Sequence, residues 1–123
     1  MKKSELLEDA KGFALRIVRL SAFLTETKKE FVLSKQILRA GTSIGANIAE
    51  AAFAQTRPDF VTKMSTALKE AAETAYWLDL LYRSGFLTAR QFKSMQEAAS
   101  SLLARLCASV QTAKRNMRKE KEG

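Results

Sequence analysis

SKQILRAGTSIGANIAEAAFA, residues 34–54, is the stretch whose reading decides the fold. At 100° per residue Leu33, Ile37, Ala40, Ile44, Ile48 and Ala51 fall along one side of a helix. Leu38, Gly41, Gly45, Ala49 and Ala52 lie beside them, so apolar and small residues cover about 200° of the circumference. A surface helix needs an apolar stripe of only ~100°. This one is expected to be buried on two sides. Gly41 and Gly45 stand mid-helix, where each costs roughly 1 kcal/mol relative to Ala. The expected compensation is close approach of a second backbone, which the missing Cβ permits. The remaining arc carries Arg39, Ser43 and Glu50, with Asn47 at the border of the apolar face.

Outward from this helix the chain reads as three more. A first helix is expected from about Ser4 to Leu24, capped by Ser4, with Glu5, Glu8 and Asp9 at the positive end of its dipole. Leu6, Ala10, Phe13, Ile17, Leu20 and Leu24 form a coiled-coil-like seam. Polar residues 25–30, TETKKE, connect it to the second helix, which starts between Phe31 and Ser34 and runs to about Gln55. Pro58 suits the first position of a third helix, with Thr56 or Arg57 preceding it. That helix, about Pro58–Ser84, places Phe60, Val61, Met64, Leu68, Ala71, Ala72, Ala75, Leu78 and Tyr82 on one face. Asp79 falls inside the same face and is expected to be buried, paired with Arg83 four residues on. Gly85 supplies a left-handed C-terminal cap, and Thr88 and Gln91 fit a capping box for a fourth helix. Its stripe is Phe92, Met95, Ala99, Leu102, Leu103, Leu106, Val110, Ala113 and Met117, and the charged tail from Lys114 is expected to fray. Four helices with short links predict an all-α, antiparallel up-down-up-down bundle, one domain over residues 1–123.

The run SIGANIAEA (43–51), with SKQILRAGT before it and RPDFVTKMSTALKEAAETAYWLDLL after it, resembles a known family. Its members are the small four-helix-bundle proteins encoded in intervening sequences of bacterial 23S ribosomal RNA. The family includes the accessory variability determinant of diversity-generating retroelements. The match spans most of residues 31–83; Ala51 stands where many relatives have Gly, and Gly45 is often a different residue. Ser43, Asn47 and Glu50 occupy polar positions of the family motif. We read the last two structurally: Asn47 fixes register at the seam edge, and Glu50 pairs with a basic group from a neighbouring helix. The resemblance implies a ring of five subunits, with nucleic acid or a retroelement reverse transcriptase as partner.

Composition narrows the chemistry. With no His in the chain, Ser-His-Asp and Cys-His arrangements are impossible, as is the Glu-x-x-His pattern of a di-iron bundle. One Cys, Cys107, excludes an intrachain disulfide, fits a reducing compartment and reads as a small core filler. No Gly-rich phosphate loop is present, since the Gly41–Gly45 spacing lacks the following Lys-Ser/Thr. We expect no enzyme activity, no metal and no cofactor. The N-terminus lacks the apolar run of a signal peptide, and the longest uncharged stretch, 40–49, is far below the ~20 residues of a membrane helix. A soluble, cytoplasmic protein is expected.

Net charge is +8, from 21 Lys and Arg against 13 Asp and Glu. Such a balance points to a polyanionic partner, nucleic acid or an acidic protein. The candidate nucleic-acid-binding residues are Lys114, Arg115, Arg118, Lys119 and Lys121 in the tail (about 114–123), then Lys28, Lys29, Lys35 and Arg39. The candidate oligomer interface is Leu38, Gly41, Gly45 and Ala49 with Trp77, Leu80 and Leu81, where apolar area exceeds what one bundle hides. The expected function is a non-catalytic, oligomeric, basic scaffold that binds nucleic acid, RNA or a ribonucleoprotein. The alternative is a protein-interaction accessory subunit, for example of a reverse transcriptase.

Overall fold

A computed structural model of the chain describes residues 2–122, with side chains from residue 5 onward. The capping role read for Ser4 lies outside the described side chains. Four helices follow one another: α1 (Lys2–Glu26), α2 (Leu33–Ala51), α3 (Arg57–Arg83) and α4 (Ala89–Glu122). They form the expected all-α four-helix bundle, with no strand among the described residues. Cross-helix pairs give its sense: Gly41 meets Ile17 and Gly45 meets Ala10, Arg39 reaches Glu70 while Glu50 reaches Lys63, Arg57 reaches Glu120 while Tyr82 meets Phe92, and Asp9 meets Arg105 while Arg16 meets Ser94. Rising numbers on one helix meet falling numbers on its neighbour. The connections are therefore all antiparallel.

The core is where the periodicity placed it on α1, α2 and α4. Leu6, Ala10, Phe13, Ile17 and Leu24 are buried from α1, with Leu20 half-buried; Met95, Ala99, Leu102, Leu106, Val110 and Ala113 are buried from α4. Ile17, Leu24, Ile37, Ile44, Leu78, Leu81 and Leu106 are all but sealed from solvent, and each such side chain contributes about 1.5–3 kcal/mol. On α3 the phase differs from the sequence reading. The buried line is Val61, Met64, Ala67, Ala71, Thr74, Leu78 and Leu81, spaced 3, 4, 3, 4, 3 from Met64 on. That is a heptad period of 3.5, from which a straight 3.6 projection drifts by ~20° per heptad. Over 27 residues the drift carries the projected face away from the real one. Asp79 is accordingly on the surface, not buried, although its pair with Arg83 does form at 3.0 Å. Tyr82 is exposed and stacks on Phe92 at 4.5 Å between centroids. Thr74 takes the buried place, its hydroxyl donating to the Glu70 carbonyl at 2.7 Å.

Most termini form as expected. Thr56 accepts from the Asp59 N–H at 3.1 Å with Pro58 in the first turn of α3. Gly85 lies at φ 84°; its N–H donates to Tyr82 and that of Phe86 to Leu81, the two-bond Schellman closure. The N–H of Thr88 donates to Gln91 Oε1 at 2.8 Å and that of Gln91 to Thr88 Oγ1 at 3.1 Å. Two ends differ. α2 stops at Ala51, four residues before Gln55, because Phe53 and Ala54 donate to the carbonyls three residues back and tighten the last turn; Thr56 then needs an extended backbone to cap α3. α4 does not fray from Lys114, for Ala113 is buried, Met117 is half-buried and helix runs to Glu122.

The glycines of α2 serve the contact with α1. A Cβ on Gly41 would stand 2.7 Å and 2.9 Å from Ile17 Cγ1 and Cγ2, whereas one on Gly45 would touch Ala10 at 3.5 Å. Gly12, on exposed α1 surface, has nothing within 4 Å of that position. Chemical unfolding should therefore separate three identical substitutions. Gly41→Ala overpacks against a branched, sealed side chain and should destabilise by about 1–2 kcal/mol net. Gly45→Ala and Gly12→Ala should hold or raise stability by up to ~1 kcal/mol through helix propensity.

Candidate nucleic-acid interface

Five acidic groups hold helices together: Asp9, Glu50, Glu70, Glu73 and Glu120. Glu50 pairs with Lys63 at 2.9 Å, the cross-helix partner expected of it, and its hydrogen bond raises the lysine above its ordinary range. Asp9 pairs with Arg105 and Glu120 with Arg57, each at 2.8 Å. Glu70 and Glu73 both hold Arg39, at 3.2 Å and 2.5 Å. The Glu73 hydrogen bond, above all, raises that guanidinium above its usual value, and in return Arg39 holds Glu73 below its own. Arg39 is thus a bridge between α2 and α3 flanked by two carboxylates. Its charge is already shared with both of them.

The other candidate cations sit at the two ends of the bundle. Lys114, Arg115, Arg118, Lys119 and Lys121 are exposed on the last turns of α4, and none has a carboxylate partner among the described residues. Lys114, Arg118 and Lys121 share one side by the i, i+4, i+7 rule, with Arg115 and Lys119 on the next. Glu120 turns to Arg57, so within this run only Glu122 remains as an opposing charge. Lys28, Lys29 and Lys35 are exposed at the opposite end, where α1 passes into α2. The separation is roughly the length of α2, whose 19 residues span about 28 Å at 1.5 Å each.

The motif residues act within their own helix. Ser43 Oγ donates to the Arg39 carbonyl at 2.6 Å and Asn47 Nδ2 to the Ser43 carbonyl at 2.9 Å. Asn47 therefore back-bonds along α2 and does not set register across a seam. The candidate subunit surface also changes. Gly41 and Gly45 are buried against α1, and Leu81 lies sealed in the chain's own core. Of that set only Leu38, Ala49, Trp77 and Leu80 keep partial exposure. Trp77 is packed along the core edge, its Nε1 donating to Glu73 at 3.1 Å. Cys107 is half-buried, with Gln111 Nε2 3.8 Å from its sulfur. Among the described residues no His, Cys, Asp and Glu cluster could hold a metal ion, and no helix is long and apolar enough to cross a membrane.

Two features escaped the sequence reading. Between α1 and the start of α4 lies a groove of about 540 Å³ lined by Leu20, Phe23, Leu87 and Met95 together with Arg16, Arg19 and Arg90. Contacts between distant residues built it, so no local signal announces it. The second is Glu30. Val32 sits at the N-cap of α2 with no side-chain cap, and the Glu30 carboxylate accepts instead from the N–H groups of Val32, Leu33 and Ser34, at 3.2, 3.0 and 2.8 Å. An acid just ahead of a helix start was the available signal.

Residues 2–108 match the model of the family of 23S rRNA-intervening sequence proteins. A solved crystal structure, of a protein of unknown function from the S23 ribosomal protein family of Bacteroides thetaiotaomicron, superposes with a TM-score of 0.88 at 48% identity, covering 90% of this chain and 99% of the other. No curated protein matches the sequence.

Glu30 carries a pH signature. Desolvation alone would raise its carboxyl, but the Leu33, Ser34 and Val32 amides outweigh it and hold it below its ordinary value of 4.5. A lowered folded-state value stabilises above the unfolded one, and the gain is lost as pH falls through the folded value. Glu30→Ala should cost about 0.5–2 kcal/mol at pH 7, the worth of a helix N-cap. In urea titrations the gap between variant and wild type should close below pH 4.5.

Proposed function

The chain belongs to the 23S rRNA-intervening sequence protein family, and from that premise we propose that it is a non-catalytic basic scaffold that binds nucleic acid, RNA or a ribonucleoprotein, in the cytoplasm. One observation carries the reading. Five acids are engaged in cross-helix pairs, while Lys114, Arg115, Arg118, Lys119 and Lys121 at one end and Lys28, Lys29 and Lys35 at the other have no carboxylate partner among the described residues. Such ends attract phosphates without reading bases, so binding is weakly dependent on sequence. A homo-oligomer, a ring of five as the family resemblance implies, would repeat these ends around an axis and multiply a modest local charge. Leu38, Ala49, Trp77 and Leu80 remain available for its interface, and so do Leu15 and Val18, which stand exposed one turn apart on α1.

The alternative, an accessory subunit that docks on a protein such as a reverse transcriptase, draws support from the arginine-lined groove between α1 and α4. An acidic amphipathic helix would suit it.

The two readings part on salt dependence. Neutralising Lys114, Arg118 and Lys121 to Gln together leaves Ala113 and Met117 in place and should not unfold α4. RNA affinity of this variant should fall, and the slope of log affinity against log salt should lose about one per cation removed. Unchanged affinity and slope, measured by fluorescence anisotropy at two salt concentrations, would remove the tail from the interface. Absence of any RNA binding by the wild type would favour the docking reading.

A further inference from the structure

We infer that the α1–α2 connection, residues 28–35, is a stacking site for unpaired bases, so that the nucleic acid this protein holds is single-stranded at that end of the bundle. The inference rests on the nucleic-acid reading above and names the substrate class at one of its two basic ends.

The sequence here is KKEFVLSK. Its one acid is turned inward: all three bonds Glu30 makes to the start of α2 hold its carboxylate against the helix N-terminus. That leaves Lys28, Lys29 and Lys35 exposed around the pair that follows it, Phe31 at 55% and Val32 at 68% exposure. An apolar pair so open normally seeks cover, and three unneutralised lysines specify cover that is both anionic and flat. A phosphate chain with unstacked bases meets both needs, since bases stack on aromatic rings while lysines track the backbone. A duplex offers only phosphates, its bases being already stacked.

The backbone adds an independent point. Lys29 lies at φ 56°, the one described residue other than glycine with positive φ. The turn is fixed there by the Glu30 N–H donating to the Leu24 carbonyl at 2.9 Å. Glycine is the residue that fits a left-handed position beyond a helix without strain. A lysine kept there gives up conformational ease and gains a charge, and strain of this kind gathers at functional positions. The loop is also well anchored, with the Lys28 ammonium 5.8 Å from the Phe23 ring centroid.

The test compares a fluorescein-labelled 12-nucleotide oligouridine with a 12-base-pair RNA duplex, by anisotropy. Phe31→Ala should weaken oligouridine binding about 5- to 100-fold, the range for loss of one stacked base, and leave duplex binding within about twofold. Phe31→Trp should restore it. Phe53→Ala, which removes a still more exposed ring (85%) at the other end of the bundle, should leave oligouridine binding unchanged. Circular-dichroism melting should be the same for all three variants, since both rings are solvent-facing. RNA binding by the wild type that ignores Phe31, or equal losses on single strand and duplex, would overturn this inference alone. A wild type that binds neither RNA would overturn the reading beneath it. Sedimentation with phosphatidylserine vesicles that Phe31→Ala abolishes, while oligouridine binding stays intact, would assign the loop to a lipid surface and overturn the inference as well.

Discussion

Everything in this bundle depends on how closely α2 can approach α1. At Gly41 the α1 side chain that faces it, Ile17, already occupies the space a Cβ would take, 2.7 Å from it. At Gly45 the neighbour is Ala10, small for the same reason. These two positions let α2 settle onto α1 with one side while Ile37, Ile44 and Ile48 reach into the core. Its outer arc remains free to engage α3 through Arg39 and Glu50. A helix gripped from both sides cannot roll. The ends of the bundle, and the lysines they display, are placed by that grip.

The same arrangement sorts the charges. Cross-helix carboxylates are bound to Arg39, Arg57, Lys63 and Arg105, which takes those four cations out of play. Among the described residues, cations without a carboxylate partner cluster on the last turns of α4 and in the α1–α2 connection, with Arg16, Arg19 and Arg90 around the groove between α1 and the start of α4. Individually such exposed ion pairs contribute little, on the order of 0–1 kcal/mol each. Their larger consequence is spatial: they decide which cations stay available. Arg39 and Arg118 are indistinguishable by residue type, yet one lies between two acids and the other has no carboxylate partner among the described residues.

The fold was legible in the sequence because its signals are local. Thr56, Gly85 and the Thr88–Gln91 box are each read within a few residues, and each forms as read. The α3 face was misplaced because a 3.5 period was projected at 3.6, which put Asp79 inside and left Thr74 and Leu81 outside. The end of α2 was overrun because residues 51–54, AAFA, contain no stop signal; the chain turns there for the sake of Thr56. The candidate site was half legible. The basic runs are visible in the sequence, but whether a given cation is free depends on a partner 31 or 34 residues away, as for Arg39. The glycines were correctly read as a close approach, and their partner was misassigned: it is α1 of the same chain.

The claim that nucleic acid is held at the two ends of the bundle is tested most directly by lysine footprinting. Amine acylation with and without bound RNA, read by peptide mass spectrometry, reports every lysine at once. Protection should fall on Lys28, Lys29, Lys35, Lys114, Lys119 and Lys121, while Lys11 and Lys63, paired with Glu8 and Glu50, label alike in both states. Protection gathered on Lys63 and Lys69 along α3, with both ends labelling as in the free protein, would contradict it.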